Sequence, residues 1–259
     1  GAGPAGSAAA AWAARSGRDV VLVDAATFPR DKTCGDGLTP RAIAELDHLG
    51  LGDWVRERAV NKGLRLAGFG REVELPWPGG SLPGIGSAVP RTELDDKLRR
   101  TALDSGARMV EGAKAVGATT DSGRVTSVDL QTASGVSSIA CESLIVADGV
   151  RSTLGKELGR TWHRETAYGV AARAYVKSGR SDDPWITSHL ELRDPDGNLQ
   201  PGYGWVFPLS TGEVNIGVGS LATTKRPANV ALKPLLELYA RNRRTEWQFD
   251  GPIRAVKSA

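Results

Sequence analysis

The chain has 259 residues, 33 basic and 30 acidic side chains and a net charge of +3. Hydrophobic residues make up 40% and charged residues 24%, the balance of a globular protein long enough for one large domain or two smaller ones. Acids and bases are interspersed, which argues against a nucleic-acid partner; no apolar run reaches about 18 residues, the length of a spanning helix; and the two cysteines, Cys34 and Cys141, fit no metal spacing and favour a reducing, cytoplasmic setting.

The first six residues, Gly1-Ala2-Gly3-Pro4-Ala5-Gly6, read G-x-G-x-x-G. They lead into an alanine-rich helix predicted over 7–16 and closed by Gly17, then into a buried-type strand over 19–24 that ends on Asp24. The first glycine permits a tight turn, the second lets a pyrophosphate approach the backbone, and the third lets the helix pack close to the strand. The pyrophosphate would then sit on free N–H groups at the positive end of the helix. Asp24 stands 18 residues beyond Gly6, where a carboxylate accepts hydrogen bonds from an adenosine ribose. The glycines alone would suit any tight turn before a packing helix; glycines, helix, strand and acid in order point to a dinucleotide-binding unit. Such a fingerprint follows a strand, so the chain is expected to be a fragment lacking its first strand.

Residues 27–38 are polar and glycine-rich and are predicted as loop; they hold Cys34, Gly35 and Asp36. Thr39-Pro40 opens a helix, with the hydroxyl as N-cap and proline in the first turn, and Gly50 ends it. A short hairpin, 64–66 against 72–75, precedes a Pro/Gly-rich connection over 76–86. Arg91 stands just before a helix over 92–105, where a guanidinium can neutralise a pyrophosphate or simply face water. A return strand over 107–110, a meander over 113–142 and a buried-type strand over 144–147 follow. That last strand runs into Asp148-Gly149. An acid at the carboxyl end of a nucleotide-binding sheet can bind sugar hydroxyls, and an Asp-Gly pair can equally turn the chain into the helix after Thr153.

Beyond Gly159, strands are predicted over 168–176, 185–192, 203–207 and 214–218, and a helix from Asn229 to Arg241. Little α/β alternation remains, which points to an antiparallel sheet. The expected fold class is therefore α/β, α+β overall. A Rossmann-like domain takes residues 1–60 and 88–158, and a second, antiparallel-sheet domain takes 61–87 and 159–259. Tyr203, Trp205 and Phe207 alternate and so share one face, as core or as the wall of an apolar channel. Trp185 and His189 read as sheet residues. His163 can titrate near neutral pH but has no evident partner in the sequence.

Gly1 to Gly6, Asp24, the run Arg91-Thr92-Glu93-Leu94-Asp95-Asp96 and the run Ala147 to Ser152 together resemble the flavoprotein superfamily of aromatic hydroxylases. The resemblance implies FAD as cofactor, held by Gly1, Gly3, Ala5, Gly6, Asp24, Gly35, Arg91, Ala113, Asp148 and Gly149. The loop Lys32 to Leu38 resembles the cysteine loop of the geranylgeranyl reductase family. Pro201-Gly202-Tyr203-Gly204-Trp205-Val206-Phe207-Pro208 is similar to that family's spaced aromatic motif, and Asn215 to Gly219 follows it as the family expects. Cys34 to Ile43 and residues 162–165 most resemble family members that act on menaquinone.

This resemblance implies a flavin-dependent oxidoreductase acting on CH–CH groups. It would saturate a C=C bond in the prenyl tail of an isoprenoid lipid, menaquinone first among them, by hydride from reduced flavin plus a proton. Cys34 would be catalytic, and Tyr203, Trp205 and Phe207 would bind the substrate; no metal is implied. From loop context alone the alternative for Cys34 is a small buried hydrophobe, and Asp36 is a turn residue as readily as an acid. An unidentified electron donor and peripheral attachment to the inner face of the cell membrane are further expectations. The alternative is an aromatic-ring monooxygenase on the same scaffold. Family members continue into a Gly-Asp motif and a helical segment not found before Ala259, so truncation at both ends is expected.

Overall fold

The computed structural model describes residues 1–161, 166–227 and 230–259. The chain divides into two compact units, Gly1–Lys32 with Arg91–His163, and Thr33–Pro90 with Arg164–Ala259. Residues 33–60, expected with the nucleotide-binding domain, make their contacts in the second unit. The strands Gly37–Leu38 and Ala59–Asn61 both pair with Gly86–Ala88, which fixes them there.

In the first unit the alanine-rich helix spans Pro4–Arg15. It starts earlier than predicted because Pro4 can occupy the first turn, where its missing N–H forfeits no hydrogen bond. It buries Ala10 and Ala11 and packs against the helix Arg91–Asp104, which buries Leu94, Leu98 and Ala102. The strand Val21–Val23 pairs in parallel with Arg108–Val110. The meander forms from Lys114–Asp121, Arg124–Thr132 and Gly135–Ala140, all antiparallel. Val128 and Leu130 bury against Ala113 and Leu154.

Residues 144–147, in contrast, form no strand, and Ile145 and Val146 are exposed. A strand needs a neighbour to take its backbone hydrogen bonds. Among the described residues the parallel sheet is the pair Val21–Val23 and Arg108–Val110, and neither extends a ladder to this segment.

The second unit is built on a seven-stranded sheet in the order Phe249–Ser258, Tyr168–Ser178, Glu213–Ala222, Gly202–Pro208, Trp185–His189, Gly63–Gly68, Arg71–Pro76. Its pairs are antiparallel except for Trp185–His189, which runs parallel to Gly63–Gly68. The helix spans Leu232–Arg243; its predicted start at Asn229 lies outside the described residues. It covers one sheet face, where Leu235, Leu236 and Tyr239 bury with Ala172, Val176, Val206, Val214, Ile216 and Val218. Strand alternation puts Tyr175, Trp205, Phe207 and Asn215 on the other face.

His189 belongs to the helix-covered face and is 2% exposed. Burial raises the Tyr239 phenol well above its ordinary pKa, so its O–H stays on, and its oxygen is hydrogen-bonded to His189 Nδ1. His189 Nε2 is hydrogen-bonded to Glu246 Oε1 at 3.2 Å. Hydrogen bonding by His189, aided by Arg243, lowers the Glu246 carboxyl from 4.5 to about 2 against the opposing effect of burial. A carboxyl depressed by folding adds stability above its unfolded pKa and loses it as pH falls through the folded value. Glu246 is 37% exposed, so screening reduces the contribution to on the order of 1 kcal/mol. Glu246→Gln is expected to melt below the wild type near pH ~6, with the gap narrowing as pH drops from ~4.5 toward ~2. A gap that stays constant over that range contradicts the assignment.

Candidate functional site

In the first unit the glycine loop is shaped by close contacts. A Cβ on Gly1 would lie 2.5 Å from the Ala147 carbonyl oxygen, and one on Gly6 would lie 1.9 Å from the Gly1 carbonyl oxygen. Gly3 differs. It is the N-cap of the first helix, in extended backbone and with no side-chain cap, so it adds nothing to the orphan N–H groups of the first turn. The space its Cβ would fill is faced by Arg30 Nη2 at 3.4 Å and Arg91 Nη2 at 4.0 Å. A helix N-terminus and two guanidinium groups around the space at Gly3 suit a pyrophosphate. Ala5 is exposed in that first turn and Gly6 is buried beneath it.

Both arginines share one anchor. Asp95 is fully buried. It accepts from Arg91 Nε at 2.6 Å and Nη2 at 2.8 Å, and from Arg30 Nη1 at 2.8 Å. Arg91 and Asp95 form an i,i+4 pair on the helix, a spacing visible in the sequence. Arg30 reaches Asp95 across 65 residues, and no local pattern marks it.

Asp24 is nearly buried. Its Oδ2 accepts from the Ala2 N–H at 2.7 Å and its Oδ1 from the Ala26 N–H at 2.9 Å. The carboxylate thus ties the glycine loop to the strand end, and each oxygen keeps acceptor capacity for a sugar hydroxyl. Ala113 is buried, and its N–H donates to the Asp24 carbonyl at 3.0 Å. Asp148 Oδ2 accepts from the Leu154 N–H at 3.1 Å in the short helix Thr153–Glu157, and Gly149 takes φ +85°. The N-cap of that helix is Ser152, and the Ala147–Asp148 backbone abuts Gly1.

In the second unit the cysteine loop lies against the aromatic strand. Cys34 is partly exposed. Asp36 is 1% exposed and takes a left-handed φ of +64°. Its Oδ2 accepts from the Tyr175 hydroxyl at 2.6 Å and from Asn215 Nδ2 at 2.8 Å. Asn215 Nδ2 also donates to the Cys34 carbonyl at 3.1 Å, and its Oδ1 accepts from Trp205 Nε1 at 2.9 Å. The Asp36 N–H points at Cys34 Sγ, 3.4 Å away. Gly35 and Gly37 let the loop lie on the Phe207 ring, since a Cβ on either would come within 2.9 and 3.1 Å of Phe207 Cε2.

Tyr203, Trp205 and Phe207 stack in a tilted row, with centroids 6.0 and 6.2 Å apart. Trp205 is buried over Gly217, whose Cβ would sit 2.0 Å from its Cζ2. Tyr203 opens to solvent at 43% exposure. The row is therefore core at Trp205 and accessible wall at Tyr203. Tyr175 carries no sequence signal for its role; Asn215 lies within the quoted motif. His163 and the rest of 162–165 lie outside the described residues.

The profile of the family described as FAD binding domain matches residues 1–217. Menaquinone reductase of Mycobacterium tuberculosis is 63% identical over 259 residues, covering the whole chain and 63% of that protein. Digeranylgeranylglycerophospholipid reductase 1 of Methanopyrus kandleri is 31% identical over 239 residues, covering 92% of the chain and 60% of that protein. The chain thus spans roughly three-fifths of the length of these relatives. A solved geranylgeranyl bacteriochlorophyll reductase-like protein from Thermoplasma acidophilum shares the fold, with a TM-score of 0.81 at 23% identity over the whole chain and 64% of its own.

Proposed function

The chain belongs to the FAD binding domain family, and on that premise we propose that the full-length gene product is an FAD-dependent oxidoreductase that saturates a C=C bond in the prenyl tail of an isoprenoid lipid, menaquinone in particular. The observation that carries this reading is the cysteine loop hydrogen-bonded and stacked onto the Tyr203–Phe207 row, in a chain so similar to a menaquinone reductase.

The residues present fit FAD. The Gly3 cradle with Arg30 and Arg91 would take the pyrophosphate, beside the backbone of Gly1, Ala5 and Gly6, and Asp24 would take the ribose. Gly35, Ala113, Asp148 and Gly149 complete the proposed cofactor set. Bound FAD would supply the reducing equivalents for the double bond.

An isolated alkene carries no group that polarises it, so the chain's own part is to hold the tail, exclude water and place a proton. Tyr203, Trp205 and Phe207 offer apolar ring surface to isoprenoid units. We assign Cys34 to the reacting carbon, where its thiol holds the proton or steers the alkene; its carbonyl accepts from Asn215 Nδ2 and its Sγ from the Asp36 N–H. No described helix is long and apolar enough to cross a membrane. A lipid substrate leads us to propose peripheral attachment at the cytoplasmic face, through exposed apolar side chains such as Leu190, Leu199 and Leu221.

The test uses anaerobically reduced full-length protein. Added menaquinone should reoxidise the flavin and yield a product that carries one extra pair of hydrogens in its prenyl tail, a gain that persists after the ring is reoxidised to the quinone. Cys34→Ala should slow that step by ~10²-fold while the flavin spectrum is retained. Turnover that requires air and adds an oxygen atom would move the protein to the ring hydroxylases and overturn the reading.

A further inference from the structure

We propose that Asn215 is the positioning residue for Cys34, acting with Asp36 and Tyr175 to lock the thiol loop onto the aromatic strand. The kinetic part of this proposal rests on the prenyl-reductase reading; the structural part does not.

Asn215 is completely buried in the sheet. A buried amide costs roughly 1–3 kcal/mol if its polar atoms go unpaired, and an apolar side chain would serve the packing of a strand as well. The amide is instead spent on three bonds that join separate pieces of machinery. Its oxygen fixes the Trp205 indole, and its nitrogen fixes both the Cys34 carbonyl and the Asp36 carboxylate. One side chain therefore sets the orientation of the central aromatic and the path of the cysteine loop together.

The loop takes a path that its side chains must help to hold. A non-glycine residue at φ +64°, as at Asp36, is disfavoured by up to about 1–2 kcal/mol, least for Asp and Asn, whose side chains bond locally. What offsets the strain is the carboxylate, gripped by Asn215 Nδ2 and by the Tyr175 hydroxyl on the neighbouring strand. With Asp36 held, its N–H meets Cys34 Sγ and its carbonyl accepts from the Val89 N–H at 3.0 Å. Gly35 and Gly37 close the fit against Phe207. An amide cannot titrate, so Asn215 acts through the placement of Cys34 and contributes no proton itself.

The experiment uses the full-length, FAD-loaded protein and compares wild type with Asn215→Leu and Tyr175→Phe. Iodoacetamide labelling is followed by mass spectrometry at Cys34, with Cys141, on the other unit, as internal reference. In both variants Cys34 should label about tenfold faster relative to Cys141, the worth of one lost hydrogen bond. The kcat for prenyl reduction should fall by ~10²-fold in both variants, as for a displacement of about 1 Å, with KM unchanged in Tyr175→Phe and raised in Asn215→Leu, which also frees the Trp205 indole. An unchanged Cys34-to-Cys141 ratio overturns the proposal, and so does equal acceleration at both thiols, which reports general loosening. If Asn215→Leu does not fold, Tyr175→Phe removes a single oxygen and decides alone. A shifted ratio in a protein whose wild type reduces no prenyl tail leaves the latch standing and overturns the functional reading.

Discussion

Gly6→Ala is expected to strip the protein of flavin and to cost about 3 kcal/mol of stability, the upper range for forcing extra atoms into a packed site. The new Cβ would lie 1.9 Å from the Gly1 carbonyl oxygen and 3.3 Å from Ala147 Cβ. The first of these is backbone, which cannot swing aside as a long side chain can. The loop must lift, and the cradle at Gly3 is carried away from the helix end with it. Gly3→Ala makes the matching control. Its Cβ would meet no atom closer than 3.4 Å, so this variant should fold with nearly wild-type stability while the cradle is filled and flavin is lost. The flavin-to-protein ratio and the melting midpoint of the two variants separate packing from binding. A Gly6→Ala protein that keeps its flavin contradicts the explanation.

Asp95→Ala should be as damaging by an electrostatic route. The carboxylate is fully buried, and the arginines it holds, Arg30 and Arg91, keep only 18% and 15% of their side chains exposed. Removing it leaves two guanidinium groups close together and largely desolvated. Breaking a buried ion pair from one side costs ~3–5 kcal/mol. Asp95→Asn keeps an acceptor and the shape, and should lose roughly half as much. Urea midpoints of the flavin-free protein check both values, and a wild-type midpoint for Asp95→Ala would show that the two arginines do not depend on it.

What the sequence makes legible here is what is encoded within a few residues. Glycine spacing, the acid after the next strand and the Tyr203–Phe207 alternation are local patterns; the structure has a helix capped by Gly3, an Asp24 carboxylate bonded to the glycine loop and three neighbouring rings on one strand. The partners that complete them are distant. Arg30 meets Asp95, and Asn215 and Tyr175 meet Asp36, across 65, 179 and 139 residues. Periodicity does not report pairing of that kind. Residues 144–147 are apolar enough for a strand, yet strand formation belongs to pairs and no described partner reaches them. Thr39 has the residue type of a cap and the extended backbone of one, but its hydroxyl makes no cap bond. The edge strand Phe249–Ser258 escapes pattern reading because Gly251 and Ala255 take positive φ and its pairing shifts register along its length.

The parallel seam between Gly63–Gly68 and Trp185–His189 has a consequence for synthesis. Leu64 pairs with Ile186, 122 residues later. Both units are also interleaved along the chain, the first closing with its 91–163 part and the second only with 164–259. Within this span a ribosome therefore delivers residues 1–32 and 91–163 before residues 164–259. The hairpin of Gly63–Gly68 and Arg71–Pro76 must wait as an unpaired edge until the second half of the sheet emerges. Contacts this distant in sequence form slowly, and waiting edges of this kind are where nascent chains aggregate. Expression of the protein should accordingly be limited by the interval between these two strands more than by the stability of the finished sheet.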